Sequence, residues 1–162
     1  MSLLEKARAI HTWIDRNITY ASNRERGTLK AAYNGFRTRQ GDCYTFCSVS
    51  EVLLTRAGIP NMRITRIPGN RTHHVWNLIN VGTGWYHFDT IPLRSTIDRF
   101  MFTSVQAATY TRWITHIDNF YVYDRSLYPP IAGDEELYGD EDLTAAEFPP
   151  DGEQTEDAGE ER

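Results

Sequence analysis

Cysteine is scarce: the 162-residue chain has two, Cys43 and Cys47. They stand four apart at the start of one predicted helix, where a bridge would close a tiny loop with badly directed Cβ atoms, so a disulfide framework is excluded. Long apolar runs are missing too. Nothing approaches the ~18–20 residues a bilayer-crossing helix needs, and mean hydropathy is -0.53, so no membrane insertion is expected. Met1-Ser2-Leu3-Leu4-Glu5-Lys6 shows no basic stretch, apolar stretch or small-residue cleavage site of a secretory leader. Compartment is left open, an extracellular or cell-surface place within a longer chain being one reading. Internal repeats are absent.

What is present divides at about residue 131. Residues 1–131 carry 16 Lys and Arg against 9 Asp and Glu, a net of +7, whereas residues 132–162 carry 1 against 13, a net of -12. From Ala132 onward there are two Leu, one Phe and one Tyr, with no Ile or Val. Such a segment cannot bury enough apolar area to offset the roughly 1–2 kcal/mol per residue that ordering costs. The expectation is one folded domain, 1–131, and an acidic, disordered tail, 132–162. The body's 14 Arg are dispersed along the chain with no nucleic-acid motif beside them, which argues against a nucleic-acid partner.

Ser2-Leu3-Leu4-Glu5 has the form of a capping box. Leu3, Leu4, Ala7, Ile10, His11, Ile14 and Ile18 then recur at three- and four-residue steps, predicting a helix to about residue 18. Thr28 is placed to cap a second helix through about Arg37, interrupted by Gly41. A third is predicted from Cys43 to Ala57, ended by Gly58 and Pro60. The period then changes: 61–67, 74–81, 85–90 and 119–123 are rich in β-branched and aromatic residues. Helices followed by closely connected strands predict an α+β fold with an antiparallel sheet.

Cys43 follows Gly41-Asp42 at a predicted helix start, where unpaired amides and the helix dipole favour an anion and so a thiolate. Its own amide can donate to a developing oxyanion. A thiolate nucleophile needs an imidazole to carry the proton and a group to orient that imidazole. His74 to Val81 and Trp85 to Asp89 read as a hairpin around Gly82-Thr83-Gly84. With Asn80 opposite Trp85, His74 lies diagonal to Asp89; with a two-residue loop the two are directly opposed. Both put them on one face within about 4.5–8 Å, while an odd-length loop would separate them. His87 shares Asp89's face and competes for the role. His73 should point away, and His11 reads as a packed residue. His116 is not expected to act.

Gly41-Asp42-Cys43 heading a helix that ends Ala57-Gly58-Ile59-Pro60, then His74-Val75-Trp76, then Trp85-Tyr86-His87-Phe88-Asp89-Thr90, resembles the transglutaminase-like superfamily of papain-like Cys-His-Asp enzymes. The opening segment from Ala7 to Tyr20 is similar as well. The resemblance implies N-terminal helices packed on an antiparallel sheet, with the nucleophile at a helix N-terminus. It also implies Cys43 as nucleophile, His74 as general base and then acid, and Asp89 as orienting carboxylate. Gln40 is available as an oxyanion donor, though its spacing is not that of the papain-like Gln.

The chemistry expected is acyl transfer from a protein or peptide amide through a thioester, leaning to peptidase or amidase hydrolysis because a small domain has limited means of screening the intermediate from water. Glutamine–lysine crosslinking and an inert binding module are the alternatives. Acetyl transfer is disfavoured by the single Gly before Cys43. Trp76, Trp85, Tyr86 and Trp113 are candidates to line a peptide groove, although aromatics of this kind are more often core than cleft. No cofactor is implied, and Cys43 and Cys47 with two of His73, His74 and His87 are a poor match to structural zinc spacings.

Overall fold

The computed structural model describes residues 1–67, 73–92, 98–113 and 120–139. His116, Asn119, the Trp113 side chain and residues 140–162 lie outside the described residues. The fold is α+β.

Helix α1 (Leu3–Asn17) opens on the expected capping box, in which Ser2 Oγ accepts the Glu5 amide at 3.2 Å and Glu5 Oε2 accepts the Ser2 amide at 2.7 Å. Ala7 and Ile14 are buried, but Leu4 is exposed and leaves the stripe. Strand β1 (Thr19–Tyr20) follows at once. Helix α2 (Thr28–Thr38) is preceded by Gly27 without a side-chain cap, so Thr28 is its first residue and not its cap. Strand β2 (Gln40–Gly41) pairs in parallel with β1.

Helix α3 (Cys43–Arg56) runs through the centre, with every residue from Thr45 to Ser50 buried. Asp42 caps it: Oδ1 accepts the amides of Tyr44 and Thr45 at 3.1 and 3.2 Å. Gly41 lets β2 lie against this first turn, because a Cβ there would stand 2.2 Å from Thr45 Cβ.

Strands β3 (Asn61–Thr65), β4 (Val75–Asn80) and β5 (Trp85–Phe88) form an antiparallel sheet in the order β3-β4-β5. Asn80 opposes Trp85 and Asn77 opposes Phe88, the longer-loop register of the two considered. One face of the sheet joins Ile64, Trp76 and Leu78 to Phe102, Tyr110, Phe120 and Tyr121. On the other, Ile79 and Phe88 pack on Ala7, Leu54 and Phe100. Each fully buried side chain of this size contributes about 1.5–3 kcal/mol, so the hairpin is held from both sides.

Two expectations change after β5. Phe120–Tyr123 is not a strand; among the described residues a single backbone bond, from the Ile67 amide to the Val122 carbonyl at 3.0 Å, joins it to the chain beyond β3, beside the Arg66 side chain's bond to the Phe120 carbonyl. The rings of Phe120 and Tyr121 pack at 4.7 and 5.9 Å from that of His74, so these aromatics serve the core and not a ladder. Beyond α4 (Ser104–Trp113) and a 3₁₀ turn at Arg125–Leu127, the segment from Ala132 holds helix α5 (Asp134–Tyr138). Polar pairing orders it where apolar burial could not. The Ala132 amide donates to Trp85 O at 2.9 Å, the Ser104 amide donates to Ala132 O at 2.8 Å, and Asp134 is buried.

Candidate active site

The loop-parity argument places His74 and Asp89 on one face, and the two are joined there: His74 Nε2 lies 2.9 Å from Asp89 Oδ2, with both side chains buried. Asp89 is held in turn by further contacts, its own amide donating to the Arg99 carbonyl at 3.0 Å. Tyr121 Oη donates to Oδ2 at 2.7 Å, and the Ile91 amide donates to Oδ1 at 3.1 Å. His11 Nε2 donates to the Asp89 carbonyl at 3.1 Å. Burial alone would push the Asp89 carboxyl up, but the His74 charge and hydrogen bond, the Arg99 charge and the Tyr121 hydroxyl outweigh it and hold it below the usual range. Burial and the Asp89 charge keep the Tyr121 proton in place, so Tyr121 stays a donor.

Cys43, half-buried, begins α3, and its Sγ donates to the His73 carbonyl at 3.6 Å. Sulfur is thus brought to the residues flanking His74. Its acidity departs from the sequence expectation. A helix N-terminus is worth about 0.3–1 kcal/mol, less than one pKa unit. Burial first and the neighbouring Asp42 carboxylate second push the thiol up, although the Val75 amide opposes them. Cys47, one turn on, is buried with Sγ 3.4 Å from the Trp76 carbonyl, and burial raises it far more.

Sequence reasoning missed Tyr121 and Arg66. Arg66 is buried, donates from Nε to the Phe120 carbonyl at 2.7 Å and sits 4.5 Å over the Phe120 ring. Burial lowers its proton affinity, while the charges of Cys43, Tyr121 and Asp89 raise it, so a buried cation stands within reach of the candidate site. Neither was legible, because only tertiary packing brings the chain beyond β3 and the 120–123 turn to β4.

The remaining expectations scatter. His87 shares Asp89's face as expected but bonds elsewhere, accepting the Trp76 indole N–H at 3.0 Å. Trp76 does not line a groove: it is 1% exposed, stacked beneath His74 with ring centroids 5.4 Å apart. Trp85 is half-buried against the core, and Gln40 is exposed on β2. His73 is exposed, as expected. Among the described residues no group of three or more His, Cys, Asp and Glu could hold a metal ion.

Fold and site define an α+β domain with a helix-borne cysteine next to a histidine–aspartate pair on a hairpin. The chain belongs to the transglutaminase-like superfamily, whose family model matches residues 1–90. Among solved structures it is similar to a candidate cysteine protease from Cytophaga hutchinsonii, with 24% identity and a TM-score of 0.44 over 52% of this chain and 30% of that one. It is also similar to a TGase, with 10% identity and a TM-score of 0.48 over 70% of this chain and 32% of that one. The chain therefore spans about a third of the length of these two proteins. No curated protein matches it.

Proposed function

We propose that this domain carries out thiol-dependent acyl chemistry on protein or peptide amides through Cys43, His74 and Asp89. The observation that carries the reading is the buried 2.9 Å bond between His74 Nε2 and Asp89 Oδ2. That bond assigns the proton to Nε2 and leaves Nδ1 as the basic nitrogen, the tautomer a proton acceptor for a thiol needs. Because burial raises the thiol, the base is needed to remove its proton, and the Cys43 proton moves to His74 as sulfur attacks the amide carbonyl. The negative charge then passes to the carbonyl oxygen. The Asp42 cap occupies the amides of Tyr44 and Thr45, so the Cys43 amide is the donor suited to that oxyanion. Collapse breaks the C–N bond, His74 returns its proton to the leaving nitrogen, and a thioester remains.

Water resolving the thioester gives a carboxylic acid and regenerates the thiol; a lysine amine gives an isopeptide. Hydrolysis is the reading preferred. Incubation of the protein with a glutamine peptide and a separate primary amine, followed by mass analysis, tests it. Free glutamate product that disappears with Cys43→Ala supports hydrolysis. An amine adduct without glutamate assigns crosslinking, and turnover that survives Cys43→Ala overturns the whole proposal.

A further inference from the structure

Behind the His74–Asp89 pair runs a second buried polar chain. Trp76 Nε1 donates to His87 Nδ1 at 3.0 Å, His87 Nε2 lies 3.3 Å from Ser104 Oγ, and Ser104 Oγ lies 2.5 Å from Asp134 Oδ1. Asp134 Oδ2 accepts the Ile131 amide at 2.9 Å. All four side chains are buried. The direction of the chain follows from the indole, which can only donate. His87 Nδ1 must accept, so Nε2 carries the ring proton and donates to Ser104, whose hydroxyl donates to Asp134. Burial holds the His87 ring neutral, its pKa pushed down to about 3. Tyr123 also lies against Ser104, and its proton is held by burial and by the Asp134 charge. The result is a directed relay with one negative charge at its far end.

The near end of the relay is the residue under the candidate base. The Trp76 indole stacks on His74 with rings 18° from parallel. An indole face attracts a cation, more strongly when both are desolvated, and hydrogen bonds in series polarise one another. We infer that His87, Ser104 and Asp134 are positioning residues for His74: they fix the indole beneath the imidazole, enrich its face in electron density, and so favour the imidazolium formed when Cys43 gives up its proton. This inference rests on the reading of Cys43, His74 and Asp89 proposed above.

Other charged and titratable groups bear on His74. Asp89 and Tyr121 face it at its ring, and His73 precedes it in the chain. Arg66 donates its backbone amide to the His74 carbonyl, Cys43 comes from α3, and Arg99 acts through Asp89. Substitution at Ser104 or Asp134 removes none of them, so a change in His74 titration under those substitutions reports the relay.

The test uses the full chain with two readouts, ring-proton NMR titration of His74 and the rate of Cys43 alkylation by iodoacetamide across pH. Ser104→Ala and Asp134→Asn should each lower the His74 midpoint by about half a pH unit, about threefold in proton affinity, and slow alkylation at neutral pH by a similar factor. Ser104→Thr, which keeps the hydroxyl, should restore both. A His74 midpoint unchanged in both variants, with only the melting temperature lowered, overturns the inference: the relay then merely pins the segment after Ile131. Failure of the underlying reading looks different. Wild-type alkylation would then follow an ordinary thiol titration indifferent to His74→Ala, and both proposals would fall.

Discussion

His74 and His87 lie on the same face of the same hairpin, both buried, each beside an acidic residue reached through a hydrogen bond or a relay. They differ in what stands next to the ring. His74 Nε2 meets a carboxylate directly, so a second proton on the ring would be compensated on the spot. His87 meets an indole donor on one nitrogen and a hydroxyl on the other. Its charge, if formed, would repel the indole N–H and have no carboxylate bonded to the ring. Burial therefore produces a candidate proton carrier at one position and a strut that is neutral at neutral pH at the other. The partner decides the role, not the depth.

The sharpest way to break this comparison is to delete each ring. His74→Ala should reduce Cys43-dependent turnover by at least about 10³-fold, as loss of a general base does, while His87→Gln, whose amide can both accept from Trp76 and donate to Ser104, should cost no more than about tenfold. Equal losses would erase the distinction. Asp89→Asn comes next, at about 10²–10⁴-fold in kcat, because an amide nitrogen presented to Nε2 favours the wrong tautomer. Its signature is a loss in kcat with KM little changed. A loss confined to KM would instead place Asp89 in binding.

The sequence carried the half of this contrast that local pattern encodes. Alternation and loop length put His74 and Asp89 on one face, and the Gly82-Thr83-Gly84 turn settles into the register in which Asn80 opposes Trp85. Cys43 heads α3 because Asp42 is a capping residue, a signal also written locally. What distinguishes the two histidines was hidden, since Tyr121 is 32 residues from Asp89 and Asp134 is 30 from Ser104. Composition misled about residues 132–139 for the same reason: a carboxylate that looks like a solvated charge in sequence becomes a buried acceptor once Ser104 and the Ile131 amide are brought to it. Trp76 stays open between groove and core in the sequence, because an aromatic next to a candidate base is equally suited to line a cleft or to lie beneath the ring, and the fold puts it beneath.

Acid unfolding sharpens the contrast on the stability side. The folded chain refuses a proton at His87 until about pH 3, whereas the unfolded chain accepts it near 6.5. Between those values the unfolded state binds more protons, so stability is full above about pH 6.5 and falls as pH drops, by about 1–2 kcal/mol per unit across the window. His11, also lowered by burial, adds in the same direction. Urea midpoints measured from pH 7 to pH 4 should show this slope in wild type and a shallower one in His87→Gln. An unaltered slope would mean that residue 87 is protonated in the fold.

The smallest expected effect probes why the Asp89 charge survives its burial. Tyr121 supplies one of the donors on Oδ2, and a hydrogen bond to a charged group contributes about 1.5–3 kcal/mol. Asp89 is held below its usual range, so its contribution to stability is present above the unfolded value near 3.8 and lost as pH falls through the lower folded value. Tyr121→Phe should therefore destabilise by about 1–2 kcal/mol at neutral pH, and the gap from wild type should close as the carboxyl takes up its proton. His87 has no such dependence on Tyr121, so the acid slope assigned to it should persist in the variant. A gap that stays constant down to the lowest pH at which the chain folds would make the phenol a packing element alone, and the ionised state of Asp89 would then rest on His74, Arg99 and the Ile91 amide.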